Sequence, residues 1–272
     1  MRHAFRRVVA RACPEMVRIA FEELGSPTWP IDRAIYCFPL RIAVEMKIPM
    51  VVYGENVAWE YGGVGSKETY SAREQINNDV AKKVDSVLWY KNGITDGQLN
   101  MLKYPSQEKI EETGLDPIYL SYFVPWNGYD NYKIAKEHGF KDLTGEWKRD
   151  GYIDDYDQID SVAYLMNVWM KYPKFGFGRA TDVVGYWIRS GKIGKNEGKK
   201  LIEKNDHKLD ARILQDFLDF TGYTEREFWG IVDGFWNRDI FEKKDSEWWL
   251  KEPRFGSRRE DEKWNTSIAR HV

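Results

Sequence analysis

The sequence is poor in the residues that most often advertise chemistry: it has two cysteines, Cys13 and Cys37, and four histidines among 272 residues. Two thiols cannot build a disulfide framework or a four-ligand zinc site by themselves, and they suit a reducing compartment. His3 and His271 are terminal. His138 falls at the expected end of a helix, where a cation is favoured. His207, in Asn205-Asp206-His207-Lys208, reads as a surface side chain in a turn, with a general base as the alternative. No run approaches the roughly 20 apolar residues of a membrane span. Nor is there an excess of one charge sign: 41 Lys and Arg stand against 43 Asp and Glu, a net charge of -2. That balance argues against a general nucleic-acid binder, which carries a clear basic excess. The patterns G-x-x-x-x-G-K-[ST], G-x-S-x-G and H-E-x-x-H are all missing, which removes the Walker-type, nucleophile-elbow and zincin readings.

What is present is an α/β alternation followed by helices. Aromatic residues make up 15% of the chain, with 12 Trp, and core packing is their first use, with a sugar or nucleotide pocket as the second. Met1 to Leu24 carries five arginines with apolar residues at helical spacing. It reads as an amphipathic helix covering a sheet, with a transit peptide or a membrane-surface helix as alternatives. After the loop Gly25 to Pro30, Asp32 to Lys47 reads as a helix, and Ile48 to Tyr53 as a buried parallel strand that ends in Gly54-Glu55-Asn56. Ligands in open α/β sheets bind at that carboxyl end, where the loops diverge. Pro117 to Phe123 is the second expected strand. Two strands are too few for a doubly wound sheet, so the sheet reads as incomplete. Helices are expected near Tyr129 to His138, Tyr156 to Tyr172, Thr181 to Ser190, Lys195 to Asn205, Ala211 to Thr221 and Thr224 to Trp236, the last opened by a Thr224 and Glu227 capping box. The expected domains are 1–125, a partial α/β domain; 126–253, a mainly helical substrate or partner domain; and 254–272, a loose charged tail.

Two polar constellations stand out. Asp157, Asp160, Ser161 and Tyr164 recur at i, i+3, i+4 and i+7 of the expected helix, a stripe that suits either Mg²⁺ or a solvated, dipole-compatible face. Arg179, Asp182, Tyr186 and Arg189 follow the glycine-containing loop Lys174 to Gly178. They suit a phosphate or charged substrate, and an internal salt-bridge ladder would look the same.

The blocks WPIDRAIYCFPLRIAVEMKIPMVVYGEN, EYGG, DQIDSVAYLMNVWMKYPKFGFGRATDVVGYWIRSGKI and FLDFTGYTEREFWGIVDGFWNRDIFEK occur in this order from about Phe21 to about Lys251. In that order they resemble the carboxyl-terminal two thirds of the N-acetyl sugar amidotransferase family of the PP-loop ATP pyrophosphatase superfamily. The resemblance implies an adenine-nucleotide alpha-hydrolase-like (Rossmann-like) parallel sheet, here truncated, followed by a mainly helical C-terminal domain. It implies a cytoplasmic enzyme of bacterial surface polysaccharide, lipopolysaccharide or nonulosonic acid biosynthesis. With ATP and Mg²⁺, such an enzyme adenylates the acetamido oxygen of a nucleotide-linked N-acetyl sugar. Ammonia then displaces AMP to leave an acetamidino group. Ammonia is expected from a HisH-like glutaminase with a HisF-like subunit.

By the same resemblance Gly54, Glu55, Asn56 and Lys174 are the candidates for the nucleotide side, and Glu60, Tyr61, Arg179 and Arg189 for the sugar. Glu55, Asp160, Arg179 and Asp182 are the catalytic candidates, with no metal ligands among protein side chains. The family's upstream SGGxDS loop and cysteine set do not occur in this sequence. The expectation is therefore a truncated chain that on its own binds ATP weakly or not at all and does not turn over. The readings from other classes are a non-catalytic sugar-nucleotide or partner-binding fragment and a tRNA-modifying PP-loop relative.

Overall fold

The computed structural model describes residues 14–54, 69–73, 84–100, 102–124, 127–159 and 161–251. Helices α1 (Pro14–Leu24) and α2 (Trp29–Glu45) precede strand β1 (Met50–Tyr53). Three short helices, α3 (Ser86–Lys91), α4 (Asp96–Asn100) and α5 (Gln107–Thr113), then lead to β2 (Asp116–Tyr119), α6 (Leu120–Phe123) and α7 (Gly128–Glu137). Residues 138–159 are irregular, and then come α8 (Val162–Trp169), α9 (Lys171–Phe175), α10 (Arg179–Arg189), α11 (Lys195–Asn205), α12 (Ala211–Thr221) and α13 (Glu225–Phe235), closed by a hairpin of β3 (Phe241–Lys244) and β4 (Glu247–Leu250). The chain divides into two compact units, the first of Met1–Ile19 with Trp29–Phe140, the second of Ala20–Thr28 with Lys141–Val272.

In the first unit β1 and β2 pair in parallel, Met50 opposite Asp116 and Tyr53 opposite Tyr119. The α/β architecture is thus a small parallel sheet followed by a mainly helical carboxyl-terminal part. Val51 packs on Leu40, Ala43, Ile110 and Leu115, which joins α2 and α5 to one face of the sheet. The other face of β1 corrects the expectation of a buried strand, because Met50 and Val52 are half exposed. Side chains alternate across a strand, and the described helices cover only one side, so every second residue of β1 stays in contact with water. β2 is also shorter than expected. After Tyr119 the apolar run turns into α6, and the outer edge of β2 is taken by Ser71 in an antiparallel bridge, with Ala72 N donating to Pro117 O at 2.8 Å. Cys37 is fully buried and donates through Sγ to Leu102 O, as Arg33 Nε does from the preceding turn of α2.

The second unit is held by aromatic packing. Phe21 lies stacked on Phe228 at 5.3 Å and edge-on to Phe217 at 5.1 Å, and all three are fully buried. Helix α8 packs on α12 and α10 on α11. The hairpin joins through Phe241 and Leu250, which close over Tyr172 with Trp236 and Trp248 alongside. The capping box is present as expected: Thr224 Oγ1 accepts from Glu227 N, and Glu227 answers at Thr224 N. One helix expectation fails. Residues 156–159 are not helical, and α8 begins at Val162. Asp154 Oδ1 accepts from Tyr156 N and Asp157 N, which closes a side-chain turn in place of a helical one, and Gln158 has a positive φ of 51°.

Candidate functional site

The second unit gathers an alternating chain of charges around the start of α10. The N-cap of α10 is Gly178, which has no side chain with which to cap. The acceptor comes instead from Asp206, just past α11, whose carboxylate takes Thr181 N at 2.9 Å and Thr181 Oγ1 at 2.5 Å. The approach is so close that a Cβ on Gly178 would lie 2.4 Å from Asp206 O. This pins the first turn of α10, from which Arg179 reaches Asp157 in the turn 154–158 and Asp182 reaches Lys171. Arg179 pairs with Asp157 and, at 3.7 Å, with Asp182, which also holds Lys171 at 2.5 Å. The side chains of this group are 11–29% exposed, so the ladder is mostly withdrawn from water.

Behind it lies Arg149, whose side chain is fully buried. Its Nη1 donates to Asp157 O and Gln158 O, and its Nη2 to Asp154 O, so one guanidinium organises the whole turn. The Asp154 side chain is as deeply buried, 3.5 Å from Arg149, and its Oδ2 has no hydrogen-bond partner among the described residues. Burial pushes the Asp154 carboxyl above the usual carboxylate range, against the pull of Arg179 and Arg149. Burial likewise holds the Arg149 guanidinium below its ordinary value and the Tyr152 phenol well above its own. Arg149 also lies 4.3 Å over the Tyr152 ring.

On the outer side of Arg149 and Tyr152 opens a cleft of about 680 Å³ between the segment 143–155 and the end of α11 with the turn after it. Its two walls are tied together. Gly151, at φ +84°, lies so close to Lys208 O that a Cβ would be 2.5 Å away, Asp150 N donates to Asp210 Oδ2 at 2.8 Å, and Lys208 Nζ stands 3.9 Å from Asp150. Trp147 lines the opening with Arg212 over its ring at 4.4 Å.

The candidates read from sequence are thus distributed. Arg179 and Asp182 meet in the charge ladder, joined by Asp157. Arg189 is on the same helix but exposed, over the Tyr186 ring at 5.1 Å. Lys174 belongs elsewhere in the unit, where its Nζ donates to Gly25 O at 2.7 Å. Gly54 directly follows β1 in the first unit. Glu55, Asn56, Glu60, Tyr61 and Asp160 lie outside the described residues. Sequence reasoning missed Arg149, Asp154, Asp206 and the cleft. The one available signal was the density of Asp and Gly between 142 and 157, which marks an irregular polar segment. His207 departs from the surface reading. It is largely buried beside Tyr172, and burial pushes its imidazole down to about 4, away from any role as a base near neutral pH.

Among the described residues no group of three or more His, Cys, Asp or Glu side chains is arranged to hold a metal ion. Of the cations around α10, Lys171 and Arg179 are committed to Asp182 and Asp157, and Lys174 to a backbone carbonyl. No helix among the described residues is long and apolar enough to cross a membrane.

Residues 146–254 match the family model described as LPS biosynthesis protein WbpG-like, C-terminal domain. The stretch takes in Arg149, Asp154, Asp157, the whole charge ladder and most of the cleft, and it lies entirely in the second unit. Over that stretch the chain is similar to a domain of lipopolysaccharide biosynthesis proteins, which supports a role in surface-sugar biosynthesis. No curated protein matches the chain.

Proposed function

We propose that the chain serves an ATP-dependent N-acetyl sugar amidotransferase of bacterial surface-polysaccharide biosynthesis, which exchanges the acetamido oxygen of a nucleotide-linked sugar for nitrogen. The second unit is its sugar side. The nucleotide and Mg²⁺ side falls to Gly54 with Glu55 and Asn56, and ammonia comes from a HisH-like glutaminase with a HisF-like subunit, in the cytoplasm. The observation that carries the reading is the family match over 146–254, because it coincides with a stretch in which buried Arg and Asp side chains support an open cleft. For Arg179 and Asp182 the geometry supports a positioning role: Arg179 holds Asp157 in the turn 154–158 that backs the cleft, and Asp182 holds Arg179 and Lys171. A binding role for the second unit without turnover is the second reading, favoured by the same commitment of every cation in the ladder to a carboxylate. A tRNA-modifying role is disfavoured by the net charge of -2.

The test is calorimetric titration of the full chain with UDP-N-acetylglucosamine and with UDP-glucose as probes. Saturable binding that depends on the acetamido group is expected. Equal affinity for the two, or no binding of either, would overturn the reading.

A further inference from the structure

The cleft beside Arg149 has a character that narrows its ligand. Its volume of about 680 Å³ lies within the range of small-molecule sites, roughly 300–1,000 Å³. Its surface cations are Lys148, Lys204 and Lys208, since the Arg149 side chain is fully buried and paired with Asp154. Against them stand Glu146, Asp150 and Asp155 on the surface of the cleft. The signs therefore cancel. In addition α11 (Lys195–Asn205) ends at the cleft, and the carboxyl end of a helix is its negative pole, which disfavours an anion there. A diphosphate would meet carboxylates and that pole, and a cation would meet the lysines. A neutral ligand dense in hydroxyls can donate to Glu146, Asp150 and Asp155 and accept from the lysines without carrying charge into the site. Trp147 and Tyr152 supply the apolar surface that the C–H face of a pyranose needs, and Arg212 over Trp147 holds that ring in place. The contacts between Gly151 and Lys208 and between Asp150 and Asp210 fix the walls in advance, which lowers the ordering cost of binding.

We propose that this cleft binds the uncharged pyranose ring of the sugar substrate, stacked on Trp147, with the diphosphate and nucleoside lying outside it. The assignment rests on the function proposed above. Its test uses the full chain and methyl N-acetyl-β-glucosaminide as the probe, followed by ligand-observed NMR, with UDP as competitor. Two variants are compared: Trp147→Ala, which removes the platform, and Leu201→Trp, which fills the cleft from α11 and leaves Trp147 in place should the first variant fail to fold.

The expected result is saturable binding of the glycoside by the unaltered chain, a loss of affinity of about tenfold or more in each folded variant, and no displacement by UDP. Glycoside binding unchanged in the variants, or displaced by UDP, would overturn the assignment. UDP-N-acetylglucosamine binding that is indifferent to both substitutions overturns the cleft and leaves the function standing. A methyl glucoside that binds as tightly as the N-acetylated probe, and is lost equally in the variants, supports the cleft and removes the acetamido specificity on which the function rests.

Discussion

His207 should make the second unit acid-sensitive well above the range in which carboxylates titrate. It sits in the turn between α11 and α12, between Asp206, which caps α10, and Lys208, which closes the cleft. Burial pushes its imidazole from 6.5 down to about 4, with Lys208 adding to the effect. A base whose folded value is depressed contributes its full stability above the unfolded value and loses it as the pH falls towards the folded one. The window is therefore from about 6.5 down to about 4. At 1.36 kcal/mol per factor of ten, the loss is about 2 kcal/mol at pH 5 and about 3 kcal/mol at pH 4. Asp154, held neutral more readily than an ordinary carboxyl, works in the opposite sense: its contribution is present at low pH and is lost as the pH rises. The assay is urea unfolding of the full chain and of His207→Gln at pH 7, 6, 5 and 4.5, with the imidazole followed by NMR. The unaltered chain should lose stability across this window and the variant much less. An imidazole titrating near 6.5, or the same pH dependence in both proteins, would refute the reasoning.

Three further outcomes follow from the packing. Gly178→Ala should cost about 1–3 kcal/mol, because a Cβ 2.4 Å from Asp206 O forces the cap of α10 apart; thermal unfolding checks this, and the loss should be accompanied by weaker sugar binding. Phe228→Ala should cost about 3–5 kcal/mol by opening a cavity among Phe21, Phe217 and Trp169, measured by denaturant unfolding. Cys37 should resist alkylation in the native protein at pH 8 and react once unfolded, because burial pushes its thiol up to about 11 and the side chain is inaccessible; rapid native labelling at that position would contradict the packing of α2.

Regular local signals carried most of what could be read without coordinates. Lys195–Asn205 and Ala211–Thr221 have the bounds their apolar periodicity and punctuation suggest, and Gly222 ends the latter in a left-handed cap before the Thr224 box. The strand at Met50–Tyr53 was legible from its β-branched run, although its half-exposed face was not, since that depends on what covers the sheet. The carboxyl-terminal hairpin was missed for a chemical reason: its turn residues Asp245 and Ser246 both have positive φ, a conformation usually signalled by Asn-Gly or Asp-Gly. The stripe from Asp157 to Tyr164 matched a helical period, but Arg149 and Arg179 hold Asp157 in a turn, and such tertiary contacts leave no trace in local spacing. The ladder of Arg179 and Asp182 was legible as one of two alternatives, and only the partners Lys171 and Asp157 distinguish it from an open anion site. The cleft was invisible because its walls come from an irregular segment and from a helix end some fifty residues away, joined through backbone groups of Gly151, Asp150 and Lys208.

Hydrogen exchange of the full chain with and without saturating UDP-N-acetylglucosamine tests the central claim most directly, because it reports where the sugar sits without altering a residue. The account predicts slowed exchange in the segments 143–155 and 201–208, which form the two walls of the cleft. Slowed exchange elsewhere, with those two segments unchanged, would contradict it.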